Sequence, residues 1–212
     1  MADADNQNTD SNSERSIFID FLDPLFAVAI GIGFEHGLLL EEWLQKWRYP
    51  NNDERFNLFV FILGLLVITL SWFGYHKSIK KKPLEGRGRF IVDIVLLVLY
   101  ILLLFKYKHF EAFLFFLTLI YLFFFFWDLL KIKEHYEEYS QITGFLKRYS
   151  RELITLQWLI IFFGTAMLHH WLYQFWSDGN HSLYFLIFAY IGTALYRIDK
   201  EHKILGKIFG WL

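Results

Sequence analysis

Carboxylates stand in or against long apolar runs at Asp20, Asp23, Glu35 and Asp93. A charge at the centre of a bilayer costs roughly 2.5–3.5 kcal/mol on insertion scales, so acids in such runs line an ion path, couple to protons or are neutralised by a base. Asp93 follows Arg89 by four residues, the spacing of an ion pair within one helix. That pairing accounts for Asp93 without a function, and a coupling role for Asp93 or Glu35 is the alternative. Histidines form a second candidate set. His36, His169, His170 and His181 fall on one side of the apolar runs, and neutral imidazoles can hold zinc with acids such as Glu35, Glu41 or Asp178. No His-x-x-x-His pair occurs, interfacial imidazoles explain these residues more simply, and no metal is expected. The chain has no cysteine, which excludes disulfides, thiolate metal sites and cysteine nucleophiles. Without a Gly-rich phosphate loop or a nucleophile paired with a base, the sequence reads as no enzyme and calls for no cofactor.

The elements that carry these groups follow from composition. Of 212 residues 55% are hydrophobic and 21% aromatic, with 25 phenylalanines against 3 prolines, far from the usage of soluble domains. A formal charge of −1 conceals segregation, since nearly all charge lies between the apolar runs; it points to no nucleic acid. A bilayer span needs roughly 20 mostly apolar residues. Six stretches qualify, at about 17–40, 56–76, 90–107, 110–131, 153–175 and 182–198, so the expected fold is an all-α integral membrane protein of six transmembrane helices. Only 106–111 separates the third from the fourth, which predicts a tight antiparallel hairpin. The fifth and sixth turn back at 177–182.

Lysine and arginine in short loops set orientation. With both termini cytoplasmic, the inner segments hold 16 of the 21 basic residues and the outer loops only Lys46, Arg48, Arg55, Lys106 and Lys108. Trp43, Trp47, Trp171 and Trp176 then lie at the outer interface. Three regions result: a disordered polar tail (1–15), the six-helix membrane domain (16–199) and a short basic, amphipathic tail (200–212). The inner loop 131–153 extends its flanking helices beyond the bilayer. "FFFFWD" (123–128) reads as lipid-facing bulk with a tryptophan at the interface.

The first helix is the most informative. Asp23-Pro24 suits a helix start, the carboxylate capping a first-turn N–H and the proline having none to lose; a helix beginning near Ser16, with Asp20 and Asp23 paired to Arg87 or Arg89 and Pro24 kinking it, is the other option. Residues 27–34 alternate small and large, with Ala27, Ala29, Gly31 and Gly33 against Val28, Ile30, Ile32 and Phe34. Small residues permit the close helix contacts that membrane packing uses. Val28, Ile32 and Glu35 recur at i, i+4 and i+7 and share one face. Copies of that face around an axis give an apolar constriction below a ring of carboxylates, which suits a cation pore.

"FLDPLFAVAI" (21–30) resembles the first-helix signature of the transmembrane-protein-175 family of bacterial and endolysosomal potassium channels, in which a Phe-Ser-Asp motif precedes a Phe-Ala-Ile-Ala-Ile-like run. Phe21, Asp23, Phe26, Ala27, Ala29 and Ile30 stand in matching places, and "SWFGYHKS" (71–78) is similar to the family's Trp-x-x-His. The chain is identified as a divergent member, with Ile17 in place of the motif arginine, Leu22 in place of its serine, and Tyr75 at the histidine position with His76 one step later. The resemblance implies a homotetramer with a pore-lining first helix, Val28 as the narrowest layer, Ile32 and Glu35 as further layers, and Phe21, Asp23, Phe26, Trp72 and His76 in the network that seats it. An oligomeric cation channel, with potassium as the expected ion, in a bacterial plasma membrane is the leading expectation. The alternative is a non-conducting membrane anchor or sensor that docks a soluble cytoplasmic partner.

Overall fold

A computed structural model describes residues 24–32, 35, 52–81, 87–142, 149–175 and 180–202, and every regular element among them is α-helix. In chain order they are α1 (24–32), α2 (Asn52–Lys81), α3 (Arg87–Phe105), α4 (Phe110–Glu134), the five-residue α5 (Tyr136–Ser140), α6 (Ser150–Phe175) and α7 (Asn180–His202). Acids open several of these helices and bases close them. Asp53 and Glu54 lie in the first turn of α2, Glu111 in that of α4 and Glu152 in that of α6, while Lys131 and Lys133 end α4 and Lys200 and His202 end α7. Each placement complements the helix dipole.

Four helical stretches are long and apolar enough to cross a bilayer, Asp53–Ile79, Arg87–Phe105, Phe110–Glu134 and Ser150–Phe175, which marks the chain as a membrane protein. They coincide with the second to fifth predicted spans. The sixth predicted span is the body of α7, whose polar residues are confined to one side and to its ends. Leu183, Tyr184, Ile187, Phe188, Ile191, Leu195 and Ile198 are exposed, whereas Leu186, Ala189, Thr193, Tyr196 and Asp199 are buried. The first predicted span is described only at 24–32 and at Glu35; Phe21, Asp20, Asp23, His36, Trp43, Trp47, the N-terminal tail and residues 203–212 lie outside the described residues, while 200–202, read from the sequence as tail, continue α7.

The five long helices close a ring. Each packs on its successor, α2 on α3, α3 on α4, α4 on α6 and α6 on α7, and α7 returns to α2. Successive helices are antiparallel. The α3–α4 connection is the turn 106–109, where Lys106 N–H donates to Leu102 O and His109 N–H to Lys106 O at 2.9 Å, so the predicted tight hairpin is present. The closing pair α2 and α7 runs parallel, with the Tyr190 hydroxyl donating to Phe59 O at one level and Lys77 meeting Glu201 at the other. Large apolar side chains such as Phe73, Ile91, Val98, Phe115, Ile160 and Phe163 face outward.

Inside, aromatic rings interleave with an aliphatic core that includes Leu63, Ile68, Leu103 and Leu117. Tyr121 stacks on Phe162 with centroids 4.3 Å apart and meets Tyr196 edge-on at 4.9 Å, locking α4, α6 and α7 together. Two glycines leave room for a side chain of the neighbouring helix. A Cβ on Gly64 would lie 2.9 Å from Leu104 of α3, and one on Gly192 would lie 3.1 Å from the Phe162 ring. Two threonine hydroxyls bond their own helix backbone, Thr118 to Leu114 O and Thr165 to Ile161 O, so these two need no partner helix. Replacing Gly64 by Ile forces α2 from α3 and is expected to destabilise by about 1–3 kcal/mol, read as a lowered midpoint in detergent unfolding; an unchanged midpoint removes the close-contact account.

Candidate functional site

Two regions carry groups capable of chemistry. The first is α1. Phe26 and Ala29 are buried, Phe26 lying between the Tyr75 ring of α2 (6.1 Å) and the Tyr100 ring of α3 (5.9 Å). The opposite face carries Ala27, Val28, Gly31 and Glu35, all exposed, with Val28 51% exposed; Ile32 is half-buried at its edge. Two of the three predicted pore-lining residues thus stand fully on the free face. Trp72 and His76 are in edge-to-face contact at 4.8 Å. Tyr75, at the position where the family motif has histidine, is the residue that receives Phe26.

The second region is a cavity of about 260 Å³ inside the ring, at the end carrying Lys77, Arg151 and Lys200. Its wall includes aromatic rings from four helices, Tyr75, Tyr100, Tyr121, Trp127 and Tyr196, and a dense set of ionisable groups. Asp128 of α4 accepts hydrogen bonds from Lys200 Nζ of α7 and Thr155 Oγ1 of α6, each at 2.7 Å. Lys200 also reaches the Tyr196 hydroxyl at 2.9 Å. Lys131 donates to Ser78 of α2 at 2.6 Å, and Trp158 Nε1 donates to Asp199 at 3.2 Å. Glu201 meets Lys77 at 3.1 Å and Arg197 at 3.7 Å. The Arg197 guanidinium fills the space that any side chain on Gly74 would need.

The two tail-ward residues 200 and 201 lie past the predicted span 182–198. Burial, the largest influence, would lower the ammonium of Lys200, but the Asp128 charge and hydrogen bond together with Tyr196 outweigh it and hold Lys200 above its ordinary range. The hydrogen bond from Lys77 holds Glu201 below the usual carboxylate range. A depressed carboxyl contributes stability above its unfolded-state value and loses it as pH falls through the depressed one, so the Lys77–Glu201 bridge persists throughout the neutral range.

The structure revises two sequence readings. Arg89, fully buried, forms its ion pair with Glu134 of α4 at 2.6 Å and not with Asp93. Asp93 remains within the field of Arg89 but lies against Trp127 and Tyr75. The turn of α4 at 123–128 is also not all lipid-facing. Phe126 is exposed, whereas Trp127 and Asp128 are buried, Trp127 under Arg89 (5.2 Å) and Lys131 (5.5 Å). Helix length and spacing locate these residues, but α4 is so uniformly apolar that no periodicity tells its inner from its outer face.

At the other end of the ring His169 is buried, its Nε2 bonding Ser182 at 3.1 Å and its ring 5.4 Å from that of His181. His170 pairs with Glu111. Among the described residues no group of three or more His, Cys, Asp or Glu is arranged to hold a metal.

Comparison with protein-family models, with curated proteins and with solved structures finds no match. The ring and its charged interior are therefore interpreted on their own geometry.

Asp128 is the link whose loss strands a charge. Asp128→Ala leaves the Lys200 ammonium without its carboxylate, with an expected cost of about 3–5 kcal/mol. Asp128→Ala combined with Lys200→Met recovers most of it. Equal costs for the single and the double variant in detergent unfolding contradict this assignment.

Proposed function

We propose that the chain is the subunit of an oligomeric cation channel, a homotetramer whose pore is lined by α1 and whose expected ion is potassium. The observation that carries this reading is the division of α1 into two faces. One face is anchored by Phe26 and Ala29 against the ring, and the other presents Ala27, Val28, Gly31 and Glu35 outward. Lipid gives helices no hydrophobic reason to associate, so a free face of small side chains is a surface on which further helices pack closely. Four copies place a Val28 layer at the throat and Glu35 carboxylates toward one mouth, where they attract cations.

In this reading the chain spans the membrane six times with both termini cytoplasmic, in a bacterial plasma membrane. The outward face of α7 and the concentration of basic residues at the cavity end support that arrangement. The first-helix likeness to the transmembrane-protein-175 family supports it independently. The channel requires only the bilayer and its ions as partners.

A second reading, a non-conducting anchor or sensor for a soluble cytoplasmic partner, draws on α5. This short helix follows α4 and exposes Tyr136, Glu137 and Glu138.

The channel reading predicts that purified protein in liposomes carries cation current, that Val28→Asn changes it several-fold, and that Glu35→Gln lowers the preference for cations over anions. A single mass measurement of the detergent-solubilised assembly should give a tetramer. A monomer, or liposomes without flux for both wild type and Val28→Asn, removes the channel. Silent liposomes with a stoichiometric co-purified partner favour the second reading.

A further inference from the structure

The charges around the internal cavity do not all cancel. Glu201 is taken by Lys77 and Arg197, and Asp128 by Lys200. Two charged residues of the wall form no ion pair among the described residues, Asp93 from α3 and Arg151 from α6. Asp93 is 4% exposed and its Oδ2 accepts no hydrogen bond; the Nε of Arg151 is buried and donates none. Arg89, the base nearest Asp93 in sequence, is engaged with Glu134. Trp127 Nε1 and Thr193 Oγ1, on the same wall, are buried without partners as well.

Each unmade hydrogen bond of a buried group destabilises the fold, most of all for a charged one. Four around one cavity describe a space built to be filled. Water completes the tryptophan and threonine but leaves Asp93, in the field of an Arg89 already paired with Glu134, and Arg151 without an ion-pair partner. The surroundings of the acid are specific, because Tyr75 and Trp127 lie against Asp93 and Tyr100 lies nearby. A carboxylate among aromatic faces suits an ammonium group, held by charge and by the ring quadrupoles. A guanidinium with free donors suits a carboxylate or phosphate.

We propose that the cavity binds a small zwitterion, its ammonium at Asp93 among the rings of Tyr75, Tyr100 and Trp127 and its anionic group at Arg151. The volume of about 260 Å³ is just below the roughly 300 Å³ at which drug-sized sites begin, and fits a molecule of amino-acid dimensions. A groove between α2 and α7, lined by Leu70, Phe73 and Ile198, shares Lys77, Arg197 and Glu201 with the cavity. The site is independent of the channel reading, since it lies within one subunit.

Free amino acids and the ethanolamine-phosphate headgroup of a phospholipid share this chemistry. The full chain, purified in detergent and stripped of lipid, is titrated with the common amino acids and with phosphoethanolamine, alongside ethylamine and acetate as half-ligands, with thermal unfolding and calorimetry as readouts. At least one zwitterion binds, the half-ligands bind at least tenfold more weakly, and Asp93→Asn and Arg151→Gln each weaken binding at least tenfold. Native mass spectrometry of protein purified with its membrane lipid separates the sources. Phosphatidylethanolamine retained by the wild type and lost from both variants assigns the headgroup, and amino-acid binding assigns the free ligand. Arg151→Gln, at the partly exposed end of α6, keeps the test open if Asp93→Asn does not fold. Binding of neither source, binding indifferent to the variants, or ethylamine binding as tightly as every zwitterion overturns the proposal.

Discussion

A charge left alone inside this ring is costly, and the pairs that neutralise several of them fix which helices are neighbours. Arg89 with Glu134 joins α3 to α4, Lys131 with Ser78 joins α4 to α2, and Lys77 with Glu201 joins α2 to α7. Asp128 does more than any other residue, since it bonds to α6 and α7 at once. Buried ion pairs are weak sources of net stability but costly to break. Their effect here is selective: any arrangement of the helices that separates these partners exposes an isolated charge to lipid.

The polar links gather at one end and the aromatic contacts extend through the middle. Tyr121, Phe162, Trp158 and Tyr196 interlock three helices without a polar atom needing to leave the ring. The cavity lies where these two modes of packing meet, walled by rings on one side and charges on the other. α1 adds Phe26 to that wall. A change in how α1 sits is therefore felt by Tyr75 and Tyr100, and through them in the neighbourhood of Asp93.

Much of the architecture was legible in the sequence because it depends on length and hydropathy alone. α2, α3, α4 and α6 fall on the second to fifth predicted spans to within a few residues, and the hairpin at 106–109 follows from the shortness of its connector. What faces what was less legible. Arg89 and Asp93 have the spacing of a pair, yet the guanidinium turns its Nε to Glu134, 45 residues away, because that carboxylate on another helix meets it inside the ring. Trp127 and Asp128 sit in a phenylalanine-rich run whose composition suggests lipid, and only the arrival of Arg89, Lys131 and Lys200 from other elements explains their inward turn. On α1 the i, i+4, i+7 spacing of Val28, Ile32 and Glu35 made one face readable, and Val28 and Glu35 are exposed with Ile32 at the edge. The cavity had no signature at all, since its wall draws single residues from several helices.

The connector between α3 and α4 has a further consequence. A link of four residues cannot let one helix settle in the bilayer while the other waits outside, so the two must enter as a folded hairpin during synthesis. Arg89 at the start of one arm and Glu134 at the end of the other are then brought together at the moment of insertion, and the membrane receives a neutral pair in place of two separate ions.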